Sequence, residues 1–580
     1  MTTNKQPPRF VSGAGGMVIR PNRNVTDRAQ EEESMSRKVW LGVAMLATGV
    51  TLLVAAGFAA GATSGVKTAH SKTGLAMNLD MSNSDFDYLD PALAYLNVSW
   101  QMRYLTDCKL LNYPDKPAPQ GTVLQPEAAD FPVISKGGTV YTFTIKSNAG
   151  GCKFNTGEAV TAQSFADAIN RDLNPAMQSP AVQFLSDVVG ANDVAAGKGT
   201  TASGVVANGN KLTITLTKPA ADFLGRITMP FFAAIPHGMP INSKGETSFA
   251  SAGPYYLKNW TQGRSAEFDI NPNYKGTRPR NVSRFNITIG TDQNQAFLQV
   301  KSGQIDDDLA GPPPAEKAGL LSAGLLKKQF FVSPLASTTY VALNTSRPLF
   351  GNVKARQAVN YAVDRHAMLA QFGVLAGKRD DQFMAPAVPG YKNANIYPTK
   401  APNLTKAKSL YTGGGNATIY IRNRGYQVAQ GQILQYNLQQ IGIQSTVQPF
   451  TAGVFYTKAG TKGEPFDAAI GGWGWDYPDP YDFLNVFFDG NNIHDTNNNN
   501  LSYFNDPSIN KQLEKAASLT GDTRYAAYGN LDITIAKNYA PMANLYHPTF
   551  ADFLAPRMDP SCYVFMPIYG VQDLATECFK

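Results

Sequence analysis

In this 580-residue chain the segment Gly471–Asn485 concentrates side chains able to do chemistry. Trp473, Trp475, Tyr477 and Tyr481 surround the carboxylates of Asp476 and Asp479, and Pro478 and Pro480 stiffen the backbone between them. A fixed carboxylate answers an ammonium group with a charge-assisted hydrogen bond. Aromatic planes supply apolar walls and cation–π attraction at modest ordering cost. An extended backbone beside them accepts a ligand chain as an added strand, which recognises peptide groups of any sequence. The pattern suits a ligand with a free amine and an amide backbone. The same residues also fit a purely structural turn, with Asp479 as turn residue and Tyr477 as core anchor. Asp482 is expected as a solvated charge at the start of a helix.

Little else in the sequence points to chemistry. Five histidines (His70, His237, His366, His494, His547) are scattered without metal-ligand spacing, and no GxxxxGK[ST], HExxH, GxSxG or CxxC occurs. That removes the commoner hydrolytic and phosphate-cradling chemistries and implies no metal, no cofactor and no catalysis. Asp306–Asp308 lack the spaced oxygens and turn glycine of a calcium loop, so they are expected on a solvated face. Asp364 and Arg365 are expected to form a local ion pair at a helix end. Asp87, Tyr88 and Asp90 are candidates for the mouth of a cleft. A net charge of +7, spread along the chain without a basic run, argues against a nucleic-acid partner.

Positioning such a segment requires a scaffold, and the chain is long enough for several domain-sized units. It is 43% hydrophobic and only 16% charged, enough apolar material for large cores. Alternation predicts strands over Val140–Ile145, Lys211–Thr217 and Arg284–Ile289. Helical spacing predicts Thr161–Arg171, opened by Thr161, and Val353–Leu369, with Ala355, Ala358, Val359 and Ala362 on one stripe. Leu434, Leu438 and Ile441 mark a further helix, ended by Gly442 and followed by the strand-like IQSTVQPF. Helices interleaved with strands over some 500 residues predict an α/β body.

The amino-terminal end reads as an address. Residues 1–38 form a polar leader, residues 39–61 an uncharged apolar run, and residues 62–73 a tether. About 20 apolar residues span a bilayer as a helix, and Arg37 and Lys38 before the run keep the leader cytoplasmic. The run is therefore either a signal peptide or a transmembrane anchor, with Met35 as a second possible start, and the body is extracytoplasmic. Four cysteines follow it, so two disulfides can form in three connectivities. Nearest-neighbour pairing, Cys108–Cys152 and Cys562–Cys578, is the first expectation.

The order of local patterns resembles the extracytoplasmic solute-binding proteins of peptide-class ABC importers, family 5, the oligopeptide/dipeptide/nickel group. The resemblance is carried by FDYLDPALAY (86–95), YTFTIKSNAGGCKFNTGEAVTAQSFADAI (141–169), SAGPYYLKNW (251–260) and INPNYKG (270–276). It continues through SGQIDDDLA (302–310), LNTSRPLFGNVKARQAVNYAVDR (343–365), LQQIGIQSTV (438–447) and FDAAIGGWGWDYPDPYDFLN (466–485). It implies a two-lobe periplasmic-binding-protein-like fold with two crossovers. Lobe I would comprise residues 74–335 and 546–580, with an extra subdomain at about 111–229, and lobe II residues 336–545. It further implies a monomer that captures short peptides and hands them to a membrane permease, the aspartate of W-x-x-D-Y, here Asp476, meeting the peptide amine. Trp473, Trp475 and Tyr477 would complete the site. The same fold in the family also carries nickel chelates, haem or sugars. The first cysteine, Cys108, lies far beyond the apolar run, so the family's usual lipid anchor is not expected, and a tethered receptor remains an alternative.

Overall fold

A computed structural model of the chain describes residues 74–580; the leader, apolar run and tether lie outside the described residues. Among the described residues no helix is long and apolar enough to cross a membrane.

Strand Arg284–Ile289 has the predicted bounds, and its alternating Phe285, Ile287 and Ile289 are buried. It runs parallel to Ala76–Met81, with Phe285 opposite Met77 and Ile287 opposite Leu79. Around this pair a five-stranded sheet forms in the order Asp307–Asp308, Ala76–Met81, Arg284–Ile289, Ser265–Ile270, Tyr255–Thr261. Asp306, Asp307 and Asp308 are all buried, contrary to the expected solvated face. The physical reason is pairing: Asp307 and Asp308 form the edge strand beside Leu79 and Asp80, and Asp306 pairs with Arg557.

A separate antiparallel sheet of four strands takes the order Val133–Ser135, Val140–Thr144, Lys211–Thr215, Val205–Asn208. Tyr141, Phe143, Leu212 and Ile214 turn inward with Phe165 and Ile169 of helix Ala162–Leu173. Both predicted strands end one or two residues early. Ile145 and Leu216 stay buried but pair outside the sheet, with Ala129 and Val188. Thr161 precedes its helix as expected, its N–H donating to Ser164 Oγ at 3.2 Å.

The largest sheet holds strands Phe330–Pro334, Met542–Phe553, Ser337–Leu343, Ala468–Gly474, Gly415–Arg422 and Ile443–Phe450 in that order, with Gly377–Arg379 also on Met542–Phe553. Helix Gly425–Gln439 connects Gly415–Arg422 to the parallel Ile443–Phe450, a right-sized βαβ unit. Gly442, at φ +81°, makes the left-handed turn between that helix and the following strand. The single helix expected over Val353–Leu369 is two, Val353–Ala362 and Arg365–Ala370. The break comes at Asp364, whose carboxylate accepts the Ala367 N–H at 2.9 Å and so starts a new helix. Arg365 does not pair with it. Its buried guanidinium instead donates to the carbonyls of Asn360, Pro398, Asp380 and Asn544.

Met542–Phe553 is the structural spine. Its first half pairs with Ser337–Leu343 and its second half with Phe330–Pro334. Two adjacent connections, near 334–337 and 546–549, run side by side within this sheet, from the end whose Phe330, Ala551 and Phe553 share a core with Phe285 to the end whose Val341, Ala543 and Leu545 share a core with Ile419, stitched by Leu335 N–H donating to the Pro548 carbonyl at 3.1 Å. Both disulfides form as first expected: Cys108–Cys152, closing 44 residues, and Cys562–Cys578, closing 16.

Candidate functional site

The acidic-aromatic segment leaves strand Ala468–Gly474 and turns into helix Tyr481–Phe488. Gly472 and Trp473 lie opposite Thr339 and Thr338, Gly474 lies opposite Ser337, and Trp475 N–H donates to the Ala336 carbonyl at 3.0 Å. The turn is thereby anchored beside the 334–337 connection.

Asp476 is only 7% exposed. Its Oδ2 accepts from the Tyr95 hydroxyl at 2.7 Å, a residue 381 positions away. Among the described residues no basic side chain forms an ion pair with it, and burial pushes its carboxyl up to about 7, the Tyr95 hydrogen bond opposing. Tyr95 is itself held by Asp87, whose carboxylate accepts the Tyr95 and Leu96 N–H groups at 2.8 and 3.0 Å. Asp87 therefore serves the site through Tyr95. Asp90 pairs with Arg171 in a two-pronged buried contact at 2.6 and 2.7 Å.

Trp473 is half-buried. Its ring stands edge-on to Tyr95 (6.4 Å) and to Phe487 (5.6 Å), and Tyr95 also meets Trp100 and Phe231. An aromatic surround thus closes around the Asp476 carboxylate. Asp482, expected in solvent, is fully buried: its Oδ2 accepts the Asp476 N–H at 2.7 Å and shapes the turn from beneath. Burial and the neighbouring Asp476 charge raise its carboxyl well above the usual range. Trp473 stands close enough to favour its charged form, yet neither Trp473 Nε1 nor Asp482 Oδ1 completes a hydrogen bond.

The other aromatic candidates are committed to protein partners. Trp475 Nε1 donates to the Pro567 carbonyl at 3.1 Å. Tyr477 is fully buried and donates to Asp222 at 2.8 Å, with Asp222 and Asp187 both paired to Arg226. Asp479 pairs with Arg524 at 2.7 Å and accepts the Tyr481 N–H. One turn thus sends Asp476 and Trp473 toward Tyr95, Trp475 to the Pro567 carbonyl, and Tyr477 and Asp479 to Asp222 and Arg524, which lie 4.0 Å apart. Sequence reasoning missed Tyr95, Asp222, Arg226 and Arg524. Only Tyr95 carried a signal, as the last residue of FDYLDPALAY. Among the described residues no three His, Cys, Asp or Glu side chains are arranged to hold a metal.

Comparison with known proteins finds relatives of the chain. The family described as "Bacterial extracellular solute-binding proteins, family 5 Middle" matches residues 123–495, more than half of the chain. The probable D,D-dipeptide-binding periplasmic protein DdpA of Escherichia coli (strain K12) is 25% identical over 457 residues, covering 76% of this chain and 82% of the relative. Heme-binding protein A of Haemophilus influenzae is 26% identical over 493 residues, covering 78% and 84%. Among solved structures, the clavulanic acid biosynthesis oligopeptide binding protein 2 superposes with a TM-score of 0.79 at 22% identity, covering 87% of this chain and 96% of that one. That likeness gives the fold: two lobes of mixed α/β structure.

Proposed function

The chain belongs to family 5 of the bacterial extracellular solute-binding proteins, and from that membership we propose that it captures short peptides outside the cytoplasmic membrane and delivers them to the permease of an ABC importer. Lobe I is taken as residues 74–335 with 546–580, its extra subdomain at about 111–229, and lobe II as 336–545. The peptide lies between them, and closure is favoured to the extent that it touches both. The chain acts as a monomer and as a binder rather than a catalyst, held outside by the exported 39–61 segment, whether cleaved or kept as an anchor.

One observation carries the reading: Asp476, enclosed and without a basic partner, faces Tyr95 of the other lobe. A buried carboxylate with no counter-charge is costly unless a ligand brings one. The α-ammonium of a peptide does so, with Trp473 beside it. Trp475 and Tyr477 support the turn from its two sides. The names of the relatives include both peptide and haem binders, so fold alone does not choose between ligands. The absent basic partner favours a cationic group over a propionate-bearing macrocycle.

Asp476→Ala tests it by calorimetry with a pool of short peptides. Breaking a buried ammonium–carboxylate pair from one side costs about 3–5 kcal/mol, or roughly two to four orders of magnitude in affinity. N-acetylated peptides should bind the unaltered protein comparably poorly. Unchanged affinity in both experiments removes Asp476 from the site. Intact peptides after prolonged incubation with the protein are expected, and cleavage would replace binding by hydrolysis.

A further inference from the structure

Arg422 ends strand Gly415–Arg422 and lies opposite Phe450, the last residue of the parallel strand beside it. The carboxyl ends of parallel strands are where open α/β sheets receive ligands. On its other side Tyr420 pairs with Ala469, and that register continued puts Arg422 level with Gly471. Gly471 in turn lies opposite Tyr340 and lets that ring lie across the strand: an added Cβ would stand 2.9 Å from the ring and its hydroxyl. Edge-on contacts join Tyr340 to Phe487 at 5.2 Å and Phe487 to Trp473 at 5.6 Å. One row of rings thus leads from Arg422 to the Asp476 turn.

The Arg422 side chain is half-buried, and its Nε is enclosed without a hydrogen-bond partner. Among the described residues its guanidinium forms no ion pair and no hydrogen bond. Arg356 and Arg365 differ, because backbone carbonyls take up their nitrogens. What Arg422 meets is tyrosine. Its Cζ lies 5.7 Å from the centre of the Tyr456 ring, and Tyr426, Tyr546 and Tyr340 also bear on it electrostatically. The Tyr546 hydroxyl accepts from Gln430 at 2.7 Å, whereas those of Tyr340, Tyr426 and Tyr456 have no hydrogen-bond partner among the described residues. Tyr340 is only 2% exposed. The acid held by Tyr420 is already committed: Glu464 accepts from that hydroxyl and pairs with Lys458, both at 3.0 Å. Helix Gly425–Gln439 starts three residues after Arg422 without a side-chain cap, so the positive end of its dipole lies at this strand end.

A guanidinium withdrawn from water without an anion is costly, and one ring face offsets only part of that cost. A planar fork of donors with three free hydroxyls suits a carboxylate, whose two oxygens accept from both. Asp476 and Arg422, opposite in sign and each without an ion-pair partner, flank the same row of rings.

We propose that Arg422, with the hydroxyls of Tyr340, Tyr426 and Tyr456, is a second subsite that takes a carboxylate of the bound ligand. The assignment rests on the peptide reading for what the ligand is, and on the free guanidinium for where its negative charge goes. A peptide carries that group at its carboxyl terminus or on an acidic side chain.

Calorimetry with matched short peptides tests it: free acid against C-terminal amide, and Asp or Glu against Asn or Gln at each position. In one of these comparisons the unaltered protein should prefer the carboxylate roughly 10- to 100-fold. In Arg422→Gln that preference should collapse to near none, and Tyr456→Phe should reduce it several-fold. The comparison that collapses identifies the carboxylate as terminal or side-chain. No preference in the unaltered protein, or a preference unchanged in Arg422→Gln, overturns the subsite. Should Arg422→Gln fold poorly, Tyr456→Phe decides, and a preference equal to that of the unaltered protein overturns it. Should no peptide bind, butyrate is titrated into the unaltered protein while the Arg422 Nε–H signal is followed by NMR. A saturable shift supports the subsite and its absence overturns it. N-acetylated peptides test Asp476 at the opposite charge, so either assignment can fail alone.

Discussion

Asp476 shows how one carboxylate can be prepared for a charged guest. Its hydroxyl neighbour, Tyr95, and the second acid, Asp482, carry no positive charge, so neither neutralises it, and the Trp473 indole meets Tyr95 rather than the carboxylate. Held up to about 7 by burial, it carries a proton in mildly acidic solution. Ammonium binding requires the ionised form, so each pH unit below about 7 should cost up to about tenfold in peptide affinity. Calorimetry from pH 5.5 to 7.5 checks the slope, which should be absent for Asp476→Ala. A pH-independent affinity would mean that the amine goes elsewhere. Tyr95 is the residue that folding brings to this carboxylate from 381 positions away, and Asp87 fixes where it stands.

At the scale of elements, two staples hold segments that make few regular contacts. Cys108–Cys152 ties the chain just past helix Asn97–Thr106 to the stretch that follows strand Val140–Thr144 of the four-stranded sheet, and Cys562–Cys578 closes the C-terminal segment on itself. That segment supplies the Pro567 carbonyl that anchors Trp475. In the chain-entropy account the closed loops of 44 and 16 residues contribute about 4 and about 3 kcal/mol. Cys108→Ser with Cys152→Ser should therefore destabilise more than Cys562→Ser with Cys578→Ser, measured by urea unfolding. The reverse order would show that loop closure is not the governing term. Reduction of the second bridge should also loosen the Trp475 side of the turn.

Across the whole molecule, a group of buried acids joins the first sheet, the spine strand and the C-terminal segment. Both carboxylate oxygens of Asp307 and of Glu577 lack partners, and Asp552 has one bond, from Tyr563. Burial first, then mutual repulsion, raises Asp307 well above its ordinary value; burial chiefly pushes Asp552 up to about 7 and Glu577 to about 8. The folded chain thus keeps protons that the unfolded chain releases above pH ~4. Stability from these groups is complete below that point and is lost as pH rises to about 8, flattening beyond it. Denaturant midpoints from pH 5 to 9 should fall accordingly, and Glu577→Gln with Asp552→Asn should flatten the curve. A midpoint that rises over this range would mean that the acids are ionised and paired in the folded state.

Periodicity in the sequence was enough to locate strand Arg284–Ile289, the helix opened by Thr161 and the helix-to-strand step at Gly442, because each is fixed by the pattern of its own residues. The WDYPDP turn was legible for the same reason, since its unusual composition is local. Where charge meets burial, the sequence misled: Asp306–Asp308, Asp482 and Arg365 look like surface residues and are interior ones. Their environments are made by Arg557, by the Asp476 backbone and by the Asn544 and Asp380 carbonyls, partners brought near only by the folded chain. The same holds for Tyr95, which reaches Asp476 across 381 residues, and for His547, which meets Ser337 and Asp380 where two connections run side by side. Local pattern sets which elements form, whereas desolvation and pairing depend on distances that no spacing along the chain encodes.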